Sequence, residues 1–197
     1  MAGRIFILSV VALCVLFFLD RDQQPLVHPP GVLVAEKPVQ VDLQPSLFTF
    51  DDYQLTRRAR FEMRARVLSI EPYYMKRESD LSPLDLALGW GVMSDQAVLD
   101  QIDITQGGRW YHTRYQLPSP APEQQISASS SNMHMIPATR SIARQLKNLR
   151  VGDVIKLAGL LVDADHESGW FWRTSMSRTD TGAGACEIVF VEALSVE

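Results

Sequence analysis

Two short stretches carry most of the side chains in this sequence that could do chemistry. In "SSSNMHMIP" (129–137), an extended backbone points Asn132 and His134 to one side and Met133 and Met135 to the other. An amide and an imidazole side by side can polarise a substrate or hold a water, and the same pair can equally shape the turn before Pro137. In "RWYHTRY" (109–115), period two places Trp110, His112 and Arg114 on one face. Arg109, Tyr111, Thr113 and Tyr115 fall on the other, and one of the two faces must be core. If the first is exposed, it forms an aromatic and cationic strip suited to a sugar, a lipid headgroup or a peptide. Trp170 and Trp172, in "GWFWRTS" (169–175), would extend it across a hairpin.

A third stretch, "RTDTGAGACEIVFV" (178–191), contains Asp180-Thr181-Gly182-Ala183, the four letters of an aspartic protease loop. That chemistry needs a second carboxylate to share the proton, and an apolar strand leading into the aspartate. Here "SMSRT" precedes Asp180, and the chain ends at Glu197, too soon for the strands such a domain places after its aspartate. An Asx turn with Gly182 and Gly184 at positive-φ positions accounts for the same letters as a hairpin. Cys186 as a nucleophile would need a nearby histidine and a positive surrounding, and His112, His134 and His166 fix no such spacing. No pair of histidines or cysteines falls at a ligand spacing, and no phosphate-binding loop is present, so neither metal nor cofactor is expected.

The elements that must position these groups are mostly strands. "RFEMRARVLSI" (60–70) alternates strictly, with Phe61, Met63, Ala65 and Val67 inward and Glu62, Arg64 and Arg66 on the solvated side. "RVGDVIKLAGLLVDAD" (150–165) and "CEIVFVEALSV" (186–196) are apolar on both faces at their centres, the mark of central strands. Gly159 in the first suggests a bulge or a barrel corner. "SPLDLALGWGVMSDQAVLDQ" (82–101) opens with Ser82 and Pro83 as a helix start and breaks at Gly89 and Gly91, which predicts two short helices. "PATRSIARQLKNL" (137–149) is a helix capped by Thr139, and "SPAPEQQISASSSN" (119–132) reads as a long loop. The expected fold is β-rich α+β: a small OB-like barrel or curled antiparallel sheet with two or three short helices over 46–197. The Val-Gly-Asp turn before a glycine-kinked strand resembles OB-fold domains in general.

Ahead of that domain, Ile5 to Leu19 is an apolar run broken only by Ser9. As a helix it rises about 22 Å against a hydrocarbon core of about 30 Å, so Ala2, Gly3 and a snorkelling Arg4 must cover the difference. No small residues stand at cleavage positions beyond Leu19, which favours an uncleaved transmembrane anchor over 1–22. Arg4 and the free amine on one flank predict that the domain lies across the membrane from the cytoplasm. For a bacterium this means a single pass through the inner membrane, contacts with lipid through 4–19, and a periplasmic domain. Residues 20–45 hold five of the chain's eleven prolines and read as an extended spacer over 23–45, with "GVLVAEKPVQVDL" (31–43) as a possible edge strand and His28 solvated.

The whole chain of 197 residues carries a net charge of −4, and −5 once the first 19 residues with their one arginine are set aside. An acidic domain of this kind lacks the concentrated basic face that nucleic acid requires. The stretches "SDLSPLDLALGWGVMSD", "SNMHMIPA" and "SRTDTGAGACE" together resemble an uncharacterised family of small membrane-anchored proteins of proteobacteria, over roughly residues 60–195. That resemblance implies a bacterial envelope setting and brings no activity with it. The expected function is therefore a binding module for an envelope protein or glycan. The competing expectation is a membrane-surface hydrolase or transferase centred on His134, with Asn132, Arg178, Asp180 or Cys186 brought near by the fold.

Overall fold

A computed structural model describes residues 24–75, 77–177 and 184–197 of the chain. The expected membrane anchor and the Arg178–Asp180 turn lie outside these described residues. None of the described helices is long and apolar enough to cross a membrane.

Among the described residues the chain forms strands β1 (Val39–Phe50), β2 (Tyr53–Pro72), β3 (Leu84–Gly89), β4 (Asp103–Gly107), β5 (Trp110–Arg114), β6 (Ser130–Pro137), β7 (Val154–His166), β8 (Phe171–Trp172) and β9 (Glu187–Val196). Four short helices join them: α1 (Arg77–Leu81), α2 (Gln96–Leu99), α3 (Glu123–Ala128) and α4 (Arg140–Lys147). Seven strands make one sheet in the order β1-β2-β3-β6-β9-β7-β8, and a further β2–β7 pairing curls it into a nearly closed ring. The ring needs a long strand, and β2 supplies it. Residues 53–66 of β2 pair with β7, and 66–72 pair with β3.

The expected antiparallel sheet is in fact mixed, because β6 and β9 run parallel. A second correction concerns 82–101. Leu84–Gly89 is a strand with every residue buried, and helix appears only later, as a 3-10 turn at Gly91–Ser94 and the single turn of α2. The loop expected at 119–132 holds α3 and the start of β6.

The main core draws on all five strands of the ring. Phe61, Ala65 and Val67 from β2 meet Leu86 and Leu88, Met133 and Met135, Ile155 and Leu161, and Val189 and Val191. Ile142 and Leu146 of α4 join this cluster. Thr139 caps that helix as expected, its hydroxyl accepting from the Ile142 amide at 3.2 Å. Thr139→Ala should cost about 1 kcal/mol of stability in urea denaturation. A loss near zero would mean that packing alone holds α4.

A second cluster lies on the other face of β6, β7 and β9, with Ile136, Val162, Ile188 and Phe190 under Phe48, Phe50, Trp170 and Trp172. Phe48 and Phe50 meet the Phe190 ring edge-on at 5.2 and 5.0 Å. A third cluster packs the segment 92–126 on Leu68 and Ala87. Central strands apolar on both faces are thereby explained, since each face has its own cover.

Residues 26–34 run extended against the domain. The Leu26 amide donates to the Val151 carbonyl at 2.7 Å, the Gly91 amide donates to the Val34 carbonyl at 2.7 Å, and Val34 is fully buried. His28 is half-buried rather than solvated, with Nε2 2.8 Å from the Gly152 carbonyl. Of the readings for 31–43, the edge strand is found from Val39 onward. Arg66, expected on a solvated face, is buried, where its guanidinium donates to Gln96 and to the Ser94 carbonyl. Burial pulls its pKa below the ordinary arginine value, against the opposing pull of Asp100 and Asp95.

Candidate functional site

The outer face of β3 and β6 carries the polar groups. Leu84, Leu86 and Leu88 point into the core, so the alternation turns Asp85 outward; on β6 it turns Asn132 and His134 outward in the same way. Asp85 and His134 are direct cross-strand partners, and Asn132 is opposite Ala87. Directly opposed side chains on one face are within contact reach. Asp85 is fully buried and His134 is 3% exposed.

The hairpin β4–β5 folds over this face. Its two-residue turn is Gly108-Arg109, with φ of 58° and 71°, the type I′ geometry whose twist suits a hairpin. A left-handed arginine costs about 1 kcal/mol, and such strain persists only where neighbours hold it. Here they do. The Arg109 amide donates to the Tyr73 hydroxyl at 2.8 Å, and its guanidinium lies 3.8 Å from the centre of the Tyr73 ring. Nη1 donates to Asp85 Oδ1 at 2.5 Å and Nη2 to the Ser82 carbonyl at 2.8 Å. The guanidinium also lies 5.3 Å from the centre of the Trp172 ring.

Asp85 is shared. Besides Arg109, its Oδ2 accepts from Asn132 Nδ2 at 3.4 Å, and its Oδ1 lies 2.9 Å from His134 Nδ1. That last contact is close but poorly aligned. Nδ1 is buried and makes no hydrogen bond of good geometry, so the pair is an electrostatic contact rather than an oriented dyad. The His134 ring instead lies against Trp172, 4.4 Å between centres and tilted by 39°. Asn132 is held from the other end, where Gln106 Nε2 donates to its Oδ1 at 2.6 Å. Asn132 Nδ2 is also 3.7 Å from Cys186 Sγ. Burial pushes the Tyr73 phenol above its ordinary value, the Arg109 amide opposes that, and Asp85 adds to it. Tyr111, which donates to Ser130 Oγ at 3.1 Å, is pushed up to about 12 by burial. Both phenols stay neutral.

Two clefts flank this set. One, of about 310 Å³, is lined by Arg109, Trp110, His134, Trp172, Gly184 and Cys186. The other, of about 560 Å³, lies between residues 72–79 and 170–172 and is walled by Tyr73, Tyr74, Met75, Trp170, Phe171 and Trp172. Arg109, Phe171 and Trp172 belong to both.

The fold thus gathers Asn132, His134, Trp110, Trp172 and Cys186 from the sequence candidates. Trp110, His112 and Arg114 do lie on the exposed face of β5. Arg114 borders a separate groove with Asp103 and Thr105, and His112 lines both that groove and a cleft shared with Trp110, Asn132 and Cys186. Trp172 meets Trp110 at the smaller cleft, and Trp170 does not line it. Trp170 packs edge-on against Tyr53 at 5.7 Å and donates to Glu78, while Trp172 covers His134. Arg178 and Asp180 fall outside the described residues. Asp85, Arg109, Tyr73 and Phe171 were not anticipated. The one available signal was Asp85 itself, a lone acid inside the apolar run "LDLALG". Among the described residues no cluster of acids, histidines and cysteines is arranged to hold a metal.

Comparisons with family models, curated proteins and solved structures find no match for this chain.

Proposed function

We propose that the chain is a membrane-anchored binding module of the bacterial envelope, with its ligand seated in the aromatic clefts beside Arg109. The observation that carries this reading is the wall of Tyr74, Phe171 and Trp172 beside an Arg109 whose donors are already taken by Asp85 and the Ser82 carbonyl. Asp85 is committed to Arg109, and Arg109 to Asp85, Ser82 and Tyr73, which leaves shape and aromatic surface for recognition. Tyr74 is 86% exposed and Phe171 64%, large apolar rings that the domain's own packing does not use.

The ring order supports the same reading. Taken in chain order, the ring strands β2, β3, β6, β7 and β9 are arranged first-second-third-fifth-fourth, with α4 between the third and fourth. We read this as an OB-type barrel. Such barrels bind ligands on the face of their second and third strands and on the first-second and fourth-fifth loops. Here that face carries Asp85, Asn132 and His134, and those loops carry Tyr73–Met75 and Trp170–Trp172. The apolar run at 5–19 supplies the anchor of the proposal, and the net charge of −4 argues against nucleic acid as the ligand.

Photocrosslinking tests the site. The full chain, expressed in bacterial membranes with Phe171→p-benzoylphenylalanine, should form a discrete adduct on irradiation. The same amino acid at Arg114 should not. Equal labelling at both positions, or none at 171, sinks the reading.

One observation favours an enzyme instead: His134 and Cys186 line the same cleft, with Asp85 beside the imidazole. A working thiolate–imidazole pair would give Cys186 an alkylation rate that bends with pH near neutrality and straightens in His134→Gln. A single thiol titration, unchanged by that substitution, removes the enzyme reading.

A further inference from the structure

Resting on that binding-module reading, we propose that the larger cleft is an aromatic cage for a small quaternary ammonium, a choline-type cation. Five rings line it, from Tyr73, Tyr74, Trp170, Phe171 and Trp172, with the Glu78 carboxylate at its side. The faces of aromatic rings are negative and attract cations, most strongly when water is excluded. The same wall already holds one cation. Arg109 rests 3.8 Å over Tyr73 and 5.3 Å from Trp172, its charge offset by Asp85 at 2.5 Å, which weakens its repulsion of a second.

Several carboxylates act on this side of the cleft. The Tyr53 phenol, packed against Trp170, is held above its ordinary value by burial first and then by Asp80, with Glu78 and Asp52 adding to it and Arg77 opposing. Asp85 and Glu71 act on Tyr73 in the same direction. A cation entering the cleft therefore meets negative potential from rings and carboxylates together.

Scarcity of acceptors selects the kind of cation. Glu78 is the one carboxylate among the described lining residues, and its Oε1 already accepts from Trp170 Nε1 at 3.3 Å. A lysine ammonium brings three donors and an arginine five, most of which would lose their water without replacement. A fully methylated ammonium brings none. Its methyl groups meet the rings while its charge faces Glu78.

The full chain in an alkyl maltoside micelle provides the test, read by the indole signals of Trp170 and Trp172. Choline should bind saturably and about ten-fold more tightly than 3,3-dimethylbutan-1-ol, its neutral carbon isostere. Tetramethylammonium should bind more tightly than methylammonium, and Phe171→Ala and Glu78→Gln should each weaken choline. Phosphocholine above choline would assign the cation to a lipid headgroup, and the reverse order to a free solute. Equal binding of choline and the alcohol overturns the cage, while leaving the cleft a binding site. Methylammonium at or above tetramethylammonium overturns it in favour of a basic side chain. No saturable response from any probe overturns it as well, and the crosslink at position 171 then judges the binding-module reading separately.

Discussion

Asp85→Ala is expected to destabilise the domain by about 3–4 kcal/mol, the usual cost of stripping one partner from a buried ion pair. The carboxylate is fully buried and serves two donors, Arg109 at 2.5 Å and Asn132 at 3.4 Å, with His134 Nδ1 in off-axis contact at 2.9 Å. Alanine would leave a guanidinium whose side chain is only 18% exposed, with the Ser82 carbonyl and the Tyr73 ring as its remaining support. The loss comes from the orphaned charge more than from the missing contact. Removing the charge too should therefore recover part of it. Asp85→Ala combined with Arg109→Gly deletes both ions and gives the left-handed φ of 71° to the residue that accepts it most easily. Urea denaturation of the two single variants and the double should show a coupling of about 1–3 kcal/mol. Strict additivity, or a loss below about 1 kcal/mol in Asp85→Ala, would mean the hairpin is held by its packing and the polar set is incidental.

Why Asp85 escapes a reading of the sequence while His134 does not is a matter of local against distant forces. The period-two pattern of "SNMHMIP" is a local property, and it correctly placed Asn132 and His134 together on the face away from Met133 and Met135. The same holds for Phe61, Met63, Ala65 and Val67 on β2, and for the Thr139 cap. In "SPLDLALG" the local signals point to a helix start, and they lose to two neighbours far along the chain. β3 is a strand because β2 and β6 bond its two edges. Once it is a strand, Asp85 must face outward opposite His134, and only then does its burial require a cation. Arg109 is hidden for another reason. A Gly-Gly turn predicts positive φ at glycines, whereas the turn here places Gly108 and Arg109 in that region, a choice tolerated because Asp85 and Tyr73 hold the side chain and amide. Ring closure is equally non-local, since nothing in β2 alone shows that it also pairs with β7.

The β7–β9 pairing admits no side chain at Gly159, which makes Gly159→Ala the second large effect expected. Gly159 sits on β7 between two partners, opposite Phe61 of β2 and Val191 of β9, where the register with β9 slips past Ala158. A Cβ built there would lie 2.0 Å from the Phe190 carbonyl oxygen and 3.2 Å from the Glu192 amide nitrogen. Those are backbone atoms, so no side-chain rotation can make room. β7 cannot retreat either, because β2 is bonded along its other edge. The strand pair must part at the bulge, and the cost should be about 3 kcal/mol or more, read from the urea midpoint. Gly169→Ala is the matched control. Gly169 has φ of 84° but open space around its Cβ direction, so only backbone strain of about 1 kcal/mol is expected. The consequence reaches the site, since β9 begins at Glu187, directly after Cys186, and its parallel pairing with β6 starts at Met133, between Asn132 and His134. Opening the bulge should therefore loosen the hydrogen exchange of the β6 amides as well as those of β9. If Gly159→Ala instead matches Gly169→Ala in cost and leaves β6 protected, the ring is soft at its seam, and the rigid face on which the clefts are built is not what positions them.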